Sequence, residues 1–295
     1  MKIKTYSPFK IFLDKFFSNY FAVFGLILCI VLIFIAIFAN YISPQNPYDL
    51  MQLNILEGRL PPGSESTYND LIFYLGTDDQ GRDILSAIFY GLRTSFIVAV
   101  SSAIVALLIG CSLGLFSAYV GGRFDDLVMR IVDIQLSFPP VLIALILLAL
   151  FGQGLDKIII ALIVTQWAYY ARTIRSTCIV EQNKEYVEAA KCLQFSQNRI
   201  LFVHILPNCM PPLIIVVTMR VAYSIMLEAT LSFLGLGLPI TEPSLGLLIA
   251  NGFEYMLSGL YWISFFPGIA LLITIVAINL VGDHLRDILN PRLEK

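Results

Sequence analysis

Two of the residue patterns that would indicate a catalytic chain are missing from this sequence. It has no GxxxxGK[ST] run, whose backbone amides would hold the phosphates of ATP. It also has no HExxH pair, which would bind a catalytic zinc ion. We therefore predict a chain that is not an enzyme, and any ATP-driven work by this protein would draw on a partner.

Three charged residues stand out because they lie in apolar surroundings, where charge is costly and tends to face a cavity or a partner. Arg220 and Glu228 are eight residues apart, or about 12 Å along a helix axis, so we do not expect them to pair directly. Asp133, in the third predicted span, is another candidate partner. These residues are candidates for the polar lining of a path across the membrane; the alternative is a structural ion pair between helices.

A metal site is not predicted. Asp78, Asp79 and Asp83 form an acidic cluster, but Arg82 lies among them and the spacing is not that of an EF-hand. The two histidines are far apart in sequence and no CxxC pair is present. The five cysteines lie in or beside predicted membrane spans or in the segment 185–208, so a disulfide framework is not expected either.

Composition points to a membrane protein. The chain is 58% hydrophobic and only 14% charged, with a mean hydropathy of +0.80, whereas soluble domains are about 25% charged. A net charge of −2 and the lack of a basic, aromatic patch give no support for a nucleic-acid partner. We predict an all-α protein with membrane lipid around it.

Six apolar stretches are long enough, or nearly so, to cross a bilayer core, which needs roughly 20 residues. The Pro139-Pro140 pair should break the third of them, and Gly110 with Gly114 gives the GxxxG spacing of close helix packing. The predicted spans are residues 20–42, 94–120, 127–151, 158–170, 211–231 and 261–281.

The positive charges predict the orientation. With a cytoplasmic N-terminus, 14 of the 19 Lys and Arg residues fall inside, four fall outside, and Arg220 lies within a span. Both termini are then cytoplasmic. The predicted parts are a cytoplasmic segment 1–19, an anchor 20–42, an extracytoplasmic segment 43–93 that ends in a short interfacial helix at 84–90, a five-helix core 94–283, and a cytoplasmic tail 284–295.

The segment 185–208 lies on the predicted cytoplasmic side and has the pattern of a helix, a turn and a second helix. Val187, Ala190 and Leu193 share one face of the first helix, while Glu188 and Lys191 face away. A polar turn follows, and the second helix is expected to end at Pro207. An ordinary solvated loop is the alternative interpretation.

Several short motifs in this order resemble those of the permease subunits of bacterial ABC importers, in the branch for dipeptides, oligopeptides and nickel. The segment 185–208 resembles their EAA loop, and we call it the EAA segment. It has Gln194 where the family has a glycine. The motifs are GTDDQGRD at 76–83, MRIVD at 129–133, EAA at 188–190, ILP at 205–207, EATLSFLG at 228–235, DHLRD at 283–287 and NPR at 290–292.

This resemblance implies a type I ABC importer transmembrane domain in the bacterial inner membrane. Its cytoplasmic coupling helix would dock on an ATP-binding subunit. The partners implied are a second homologous permease subunit, two ATP-binding subunits that use ATP and Mg²⁺, an extracytoplasmic solute-binding protein and a peptide substrate; this chain itself would bind no cofactor. The residues expected to couple it to the ATPase are Glu188, Ala189, Ala190, Leu193, Gln194, Ile205 and Pro207.

Three alternatives remain open at this point. The first is an ABC importer of the same kind whose cargo is nickel or a nickel chelate, because the nickel permeases have nearly the same motifs. A self-sufficient secondary transporter is a different class, although such folds often contain repeated halves, and no internal repeat is apparent here. An intramembrane enzyme is the remaining alternative, which the missing motifs disfavour.

Overall fold

The computed structural model of the chain describes residues 8–49, 51–68, 70–239 and 242–289. Helices dominate these residues, with one small two-stranded hairpin, β1 (Ser64–Glu65) and β2 (Ile72–Phe73). The helices are α1 (Pro8–Phe17), α2 (Tyr20–Ile42), α3 (Ile84–Val120), α4 (Gly122–Ser137), α5 (Pro140–Phe151), α6 (Leu155–Gln182), α7 (Glu185–Cys192), α8 (Gln197–Arg199), α9 (Leu206–Phe233), α10 (Leu245–Phe253) and α11 (Trp262–Leu289).

The first predicted span coincides residue for residue with helix α2, which is long and apolar enough to cross a membrane. A side chain fixes the start of this helix. The Oδ1 atom of Asn19 accepts hydrogen bonds from the backbone N–H groups of Phe21 and Ala22, which would otherwise lack partners at a helix start. The amide of Asn19 also contacts His284 Nδ1 at 3.3 Å, and the ring of Phe16 lies against the same imidazole in a tilted arrangement, with 5.4 Å between the ring centres. The start of α2 and the end of α11 therefore lie together.

The acidic cluster has a structural role, since two of its members form a buried ion pair and a helix cap. Arg82 Nε donates to Asp78 Oδ2 at 2.6 Å, and both side chains are buried. Asp83 caps α3 by accepting from the backbone N–H and the hydroxyl of Ser86. The indole N–H of Trp262 donates to the carbonyl of Thr77, which fastens this loop to the start of α11. The GTDDQGRD run thus serves packing and helix capping.

The predicted separation between residues 84–90 and the span 94–120 is wrong. Both belong to α3, a single helix of 37 residues that begins just after Asp83. No proline interrupts it, and Gly91, which packs against Leu245, does not break it. The segment that was predicted to end at residue 93 therefore gives way to the long helix ten residues earlier than expected.

The two glycines of the GxxxG spacing lie where α3 meets α6, as the spacing predicts. A Cβ atom at Gly110 would lie 2.3 Å from the carbonyl oxygen of Trp167, and one at Gly114 would lie 2.3 Å from that of Ala171. Residues 110–114 read GCSLG, which also fits the letters of a serine nucleophile elbow. That motif requires a strand-to-helix turn, whereas Ser112 lies inside α3, so the glycines serve packing.

The break at Pro139-Pro140 is confirmed. Helices α4 and α5 meet there at an angle of 91°. Among the described residues, four helical stretches are long and apolar enough to cross a membrane, and a fifth is added if this bent pair counts as one span. Helix α6 has 28 residues, but its arginines and amides reduce its hydropathy. The fold is therefore a multi-helix membrane bundle with four or five such spans by this criterion, against the six expected.

Candidate functional site

Helix α7 has one buried face and one exposed face. Val187 and Ala190 are buried against the rest of the chain, in a cluster that includes Ile205. Leu193 was expected on that same face, but it follows the last turn of α7 and is 67% exposed. We call the exposed stripe the α7 outer face; its residues are Glu185, Glu188, Ala189, Cys192 and Leu193.

The turn after α7 keeps a glycine-like conformation although it has no glycine. Gln194 has φ of +54°, in the left-handed region. The backbone N–H of Phe195 donates to the carbonyl of Ala190, and that of Gln194 donates to Lys191, which together form a Schellman helix ending. The substitution of the family's glycine by Gln194 therefore leaves the turn geometry intact and adds conformational strain.

Replacing Gln194 with glycine is expected to stabilise the chain by about 1 kcal/mol, because the strain of a side chain at positive φ is released. Transport should be unchanged. Thermal unfolding of the purified protein measures the effect. The matched control is Lys191→Gly, an exposed position inside α7, which should lower stability by about the same amount. Equal destabilisation by both substitutions would show that the turn does not require positive φ.

Pro207 does not end the second helix, contrary to the sequence-based expectation. A π-helical turn at Ile200–Ile205 leads directly into α9, and Pro207 occupies the first turn of α9. A proline is tolerated there because a first-turn N–H has no partner within its own helix. Ile205 is fully buried and Pro207 is exposed. The second half of the EAA segment is thus continuous with a membrane helix.

A hydrogen-bonded network joins α7 to two long helices. The hydroxyl of Tyr186 on α7 donates to Glu181 Oε2 on α6 at 2.6 Å, and Asn208 on α9 donates to that hydroxyl at 3.3 Å. Lys184 holds the other oxygen of Glu181 at 2.5 Å. Burial, together with the hydrogen bond to Glu181, raises the pKa of Tyr186 to about 12. A displacement of α7 would therefore act on α6 and α9 together.

The sequence did not reveal this network. Its members are spread over residues 181–208, and single polar residues near helix ends are common. The one available signal was that Tyr186 and Asn208 lie within the segment 185–208 and that Glu181 lies just before it.

The three charged candidates do not pair with one another. Asp133 forms an ion pair with Arg172 on α6, and both side chains are substantially exposed. Glu228 is fully buried and accepts from the hydroxyls of Ser95 at 3.0 Å and Ser232 at 2.8 Å, which links α3 to α9. A shared ion pair among the candidates is therefore ruled out as their role.

Arg220 has a different environment. Its guanidinium carbon lies 3.3 Å from the ring centre of Tyr169 and 5.3 Å from that of Tyr223. Within the described part of the chain no carboxylate lies within ion-pair distance of it. It lines a cavity of about 350 Å³ together with Pro140, Tyr169, Val216, Met219 and Tyr223.

Comparison with known proteins assigns the family. Residues 110–295 match the family described as binding-protein-dependent transport system inner membrane component. Residues 7–62 match the N-terminal transmembrane domain of oligopeptide transport permease C. The chain belongs to this family of inner-membrane permease components, and it is a multi-pass membrane protein.

Its similarity to individual relatives extends over nearly the whole chain. It is 35% identical to the di/tripeptide transport system permease protein DppC of Pseudomonas aeruginosa, covering 98% of this chain and 93% of that protein. It is 38% identical to the oligopeptide transport system permease protein OppC of Bacillus subtilis, covering 99% of this chain and 92% of that one. The dipeptide transport system permease protein DppC of Escherichia coli K12 is 37% identical, with 98% and 95% covered.

A solved structure shares the fold. The inward-facing MetNI methionine ABC transporter matches with a TM-score of 0.58 at 19% identity, covering 70% of this chain and 98% of the matched chain. This likeness supports the type I importer architecture that the resemblance implied.

Proposed function

We propose that this chain is a permease subunit of an ATP-driven importer that takes up dipeptides or oligopeptides. The observation that carries the proposal is its 35–38% identity, over nearly its whole length, to proteins named for di/tripeptide, dipeptide and oligopeptide transport. The same names favour peptides over nickel as the cargo. The complete machine would contain a second homologous permease subunit, two ATP-binding subunits and an extracytoplasmic solute-binding protein.

The α7 outer face is the proposed contact with an ATP-binding subunit. Ala189 allows the partner to approach closely, and Glu188 and Glu185 supply charge. Ala190 and Ile205 act from the other side by holding α7 against the bundle. Gln194 and Pro207 shape the turn and the entry into α9.

Closure of the ATP-binding subunits would move α7 as a rigid piece. Because packed helices switch between discrete arrangements and stretch very little, the motion passes to α6 and α9 through Tyr186, Glu181 and Asn208. The bundle would then expose its path alternately to the two sides of the membrane. ATP and Mg²⁺ act only in the partner subunits.

Six spans with both termini in the cytoplasm fit this arrangement. An even number of crossings places the N-terminal helix and the end of α11 on one side, and the contact of Phe16 and Asn19 with His284 supports this placement. Helix α6 and the bent pair α4–α5 would then count as crossings alongside the four apolar stretches.

Uptake assays in cells that lack this chain test the proposal. Restoring the chain should restore uptake of a labelled dipeptide or of a longer peptide, and nickel uptake should not change. Rescue of nickel uptake alone would contradict the peptide assignment. Peptide accumulation that persists without the ATP-binding subunits, driven by a proton or sodium gradient, would instead support a self-sufficient transporter.

A further inference from the structure

Arg220 is a permanent positive charge placed near the middle of the long helix α9. Such a charge is costly at membrane depth and normally faces a partner or a water-filled cavity. The other two charged candidates have contacts elsewhere, because Asp133 pairs with Arg172 and Glu228 accepts hydrogen bonds from the hydroxyls of Ser95 and Ser232. Within the described residues, its planar faces contact aromatic rings and it forms no ion pair.

The cavity beside Arg220 has a second positive feature. Pro140 lines it and begins α5, at the 91° break between α4 and α5. No side chain caps this helix start. Pro140 has no N–H and the N–H groups of Leu142 and Ile143 donate to the carbonyl of Pro139, so the N–H of Val141 is the first-turn donor left for a ligand among the described residues. The amino end of a helix carries partial positive charge from its unpaired N–H groups, and interrupted membrane helices use such ends to hold anionic groups of substrates.

The two tyrosines favour a specific orientation of the guanidinium. The guanidinium carbon lies over the Tyr169 ring, 3.3 Å from its centre, and a guanidinium stacked on a ring keeps its edge N–H groups as donors for a ligand. A guanidinium presented edge-on matches a carboxylate, which accepts two parallel hydrogen bonds.

We propose that Arg220, with Tyr169 and the start of α5, forms a carboxylate-recognition site on the path through the bundle, which contacts the terminal carboxylate of the passing peptide. This inference rests on the proposed function, because it takes a short peptide as the cargo. Arg220 is then a residue that determines specificity within the permease itself.

The experiment compares one dipeptide with a free carboxyl end and the same dipeptide amidated at that end. Binding of each to the purified transporter, without the solute-binding protein, is measured by calorimetry for the native chain, Arg220→Gln and Arg220→Lys. Leaving out the binding protein removes its own preference from the result. We expect Arg220→Gln to weaken binding of the free-carboxyl peptide by about tenfold or more, since hydrogen bonds between charged groups are among the strongest. Binding of the amidated peptide should change little.

Two comparisons sharpen the test, one with Arg220→Lys and one with an added variant, Arg172→Gln. Arg220→Lys should retain part of the preference, because lysine keeps the charge but loses the paired geometry. Arg172→Gln removes a positive charge on the neighbouring helix α6 and should leave the ratio of the two affinities unchanged.

Three results would overturn the inference. One is an equal effect of Arg220→Gln on both peptides, and another is no binding of the free-carboxyl peptide by the native transporter. The third is loss of the assembled complex in Arg220→Gln with recovery in Arg220→Lys, which would indicate an ion pair with the second permease subunit. Failure of the proposed function is distinct: it would appear as absent peptide uptake by cells carrying the native chain.

Discussion

Replacing Ala189 with arginine is expected to abolish ATP-driven uptake and to leave the amount and thermal stability of this chain unchanged. Ala189 is exposed on α7, so a long side chain meets no atom of its own bundle there. In the assembled transporter it would enter the proposed contact with the ATP-binding subunit. Disrupting a central, closely packed contact costs about 2 kcal/mol or more, or about thirtyfold in affinity.

Replacing the neighbouring alanine, Ala190, with arginine is expected to lower the stability of the chain itself. Ala190 is only 4% exposed and packs beside Val187 in the core, so Ala190→Arg should destabilise the chain by about 3–5 kcal/mol through a buried, unpaired charge. Ala189→Ser keeps the side chain small and should transport normally. Co-purification of the ATP-binding subunit and detergent thermal unfolding separate these effects. Normal uptake by Ala189→Arg would remove the α7 outer face from the mechanism.

Replacing Gly114 with alanine is expected to cost about 1–3 kcal/mol of stability, and more if the helices cannot separate. The added Cβ would lie 2.3 Å from the carbonyl oxygen of Ala171 and 2.4 Å from a methyl group of Ile174. A backbone oxygen cannot rotate away as a side chain can, so α3 and α6 would have to move apart. Helix α6 also carries Glu181, which belongs to the hydrogen-bonded network that joins α7 to α6 and α9. Uptake should therefore fall together with stability.

The chain offers a matched control for this prediction. Gly268 is also a helical glycine, in α11, and no atom lies within 4 Å of the position of its added Cβ. Gly268→Ala should therefore be neutral or slightly stabilising, because alanine is the better helix former. Thermal unfolding of both variants in detergent measures the difference. Similar midpoints for Gly114→Ala and the native protein would contradict the close approach of α3 to α6.

Features that depend on local chemistry could be predicted from the sequence. Apolar length placed α2, the proline pair placed the break between α4 and α5, and glycine spacing indicated the contact of α3 with another helix. The short helix and turn of the EAA segment also followed from periodicity. Each of these depends on residues close together in the chain.

Features that depend on distant contacts could not be predicted in this way. Helical periodicity placed Leu193 with Val187 and Ala190, but α7 ends before Leu193 and the chain turns at Gln194. Pro207 is a common signal for a helix end, yet the π-helical turn before it carries the helix onward. The partner of Asp133, Arg172, lies 39 residues further on, and only the packing of α4 on α6 brings the two together.

In the proposed mechanism, an ATP-binding subunit covers the α7 outer face. The chain itself contains a cysteine whose labelling can measure this coverage. Cys192 lies on that face and is exposed, whereas Cys29 and Cys111 are half-buried and Cys178 and Cys209 are buried. The measurement is the rate at which a water-soluble maleimide labels Cys192, with Cys192→Ser giving the background. We predict fast labelling of the purified chain and strong protection once the ATP-binding subunits are added. An unchanged rate in a complex that hydrolyses ATP would contradict the account.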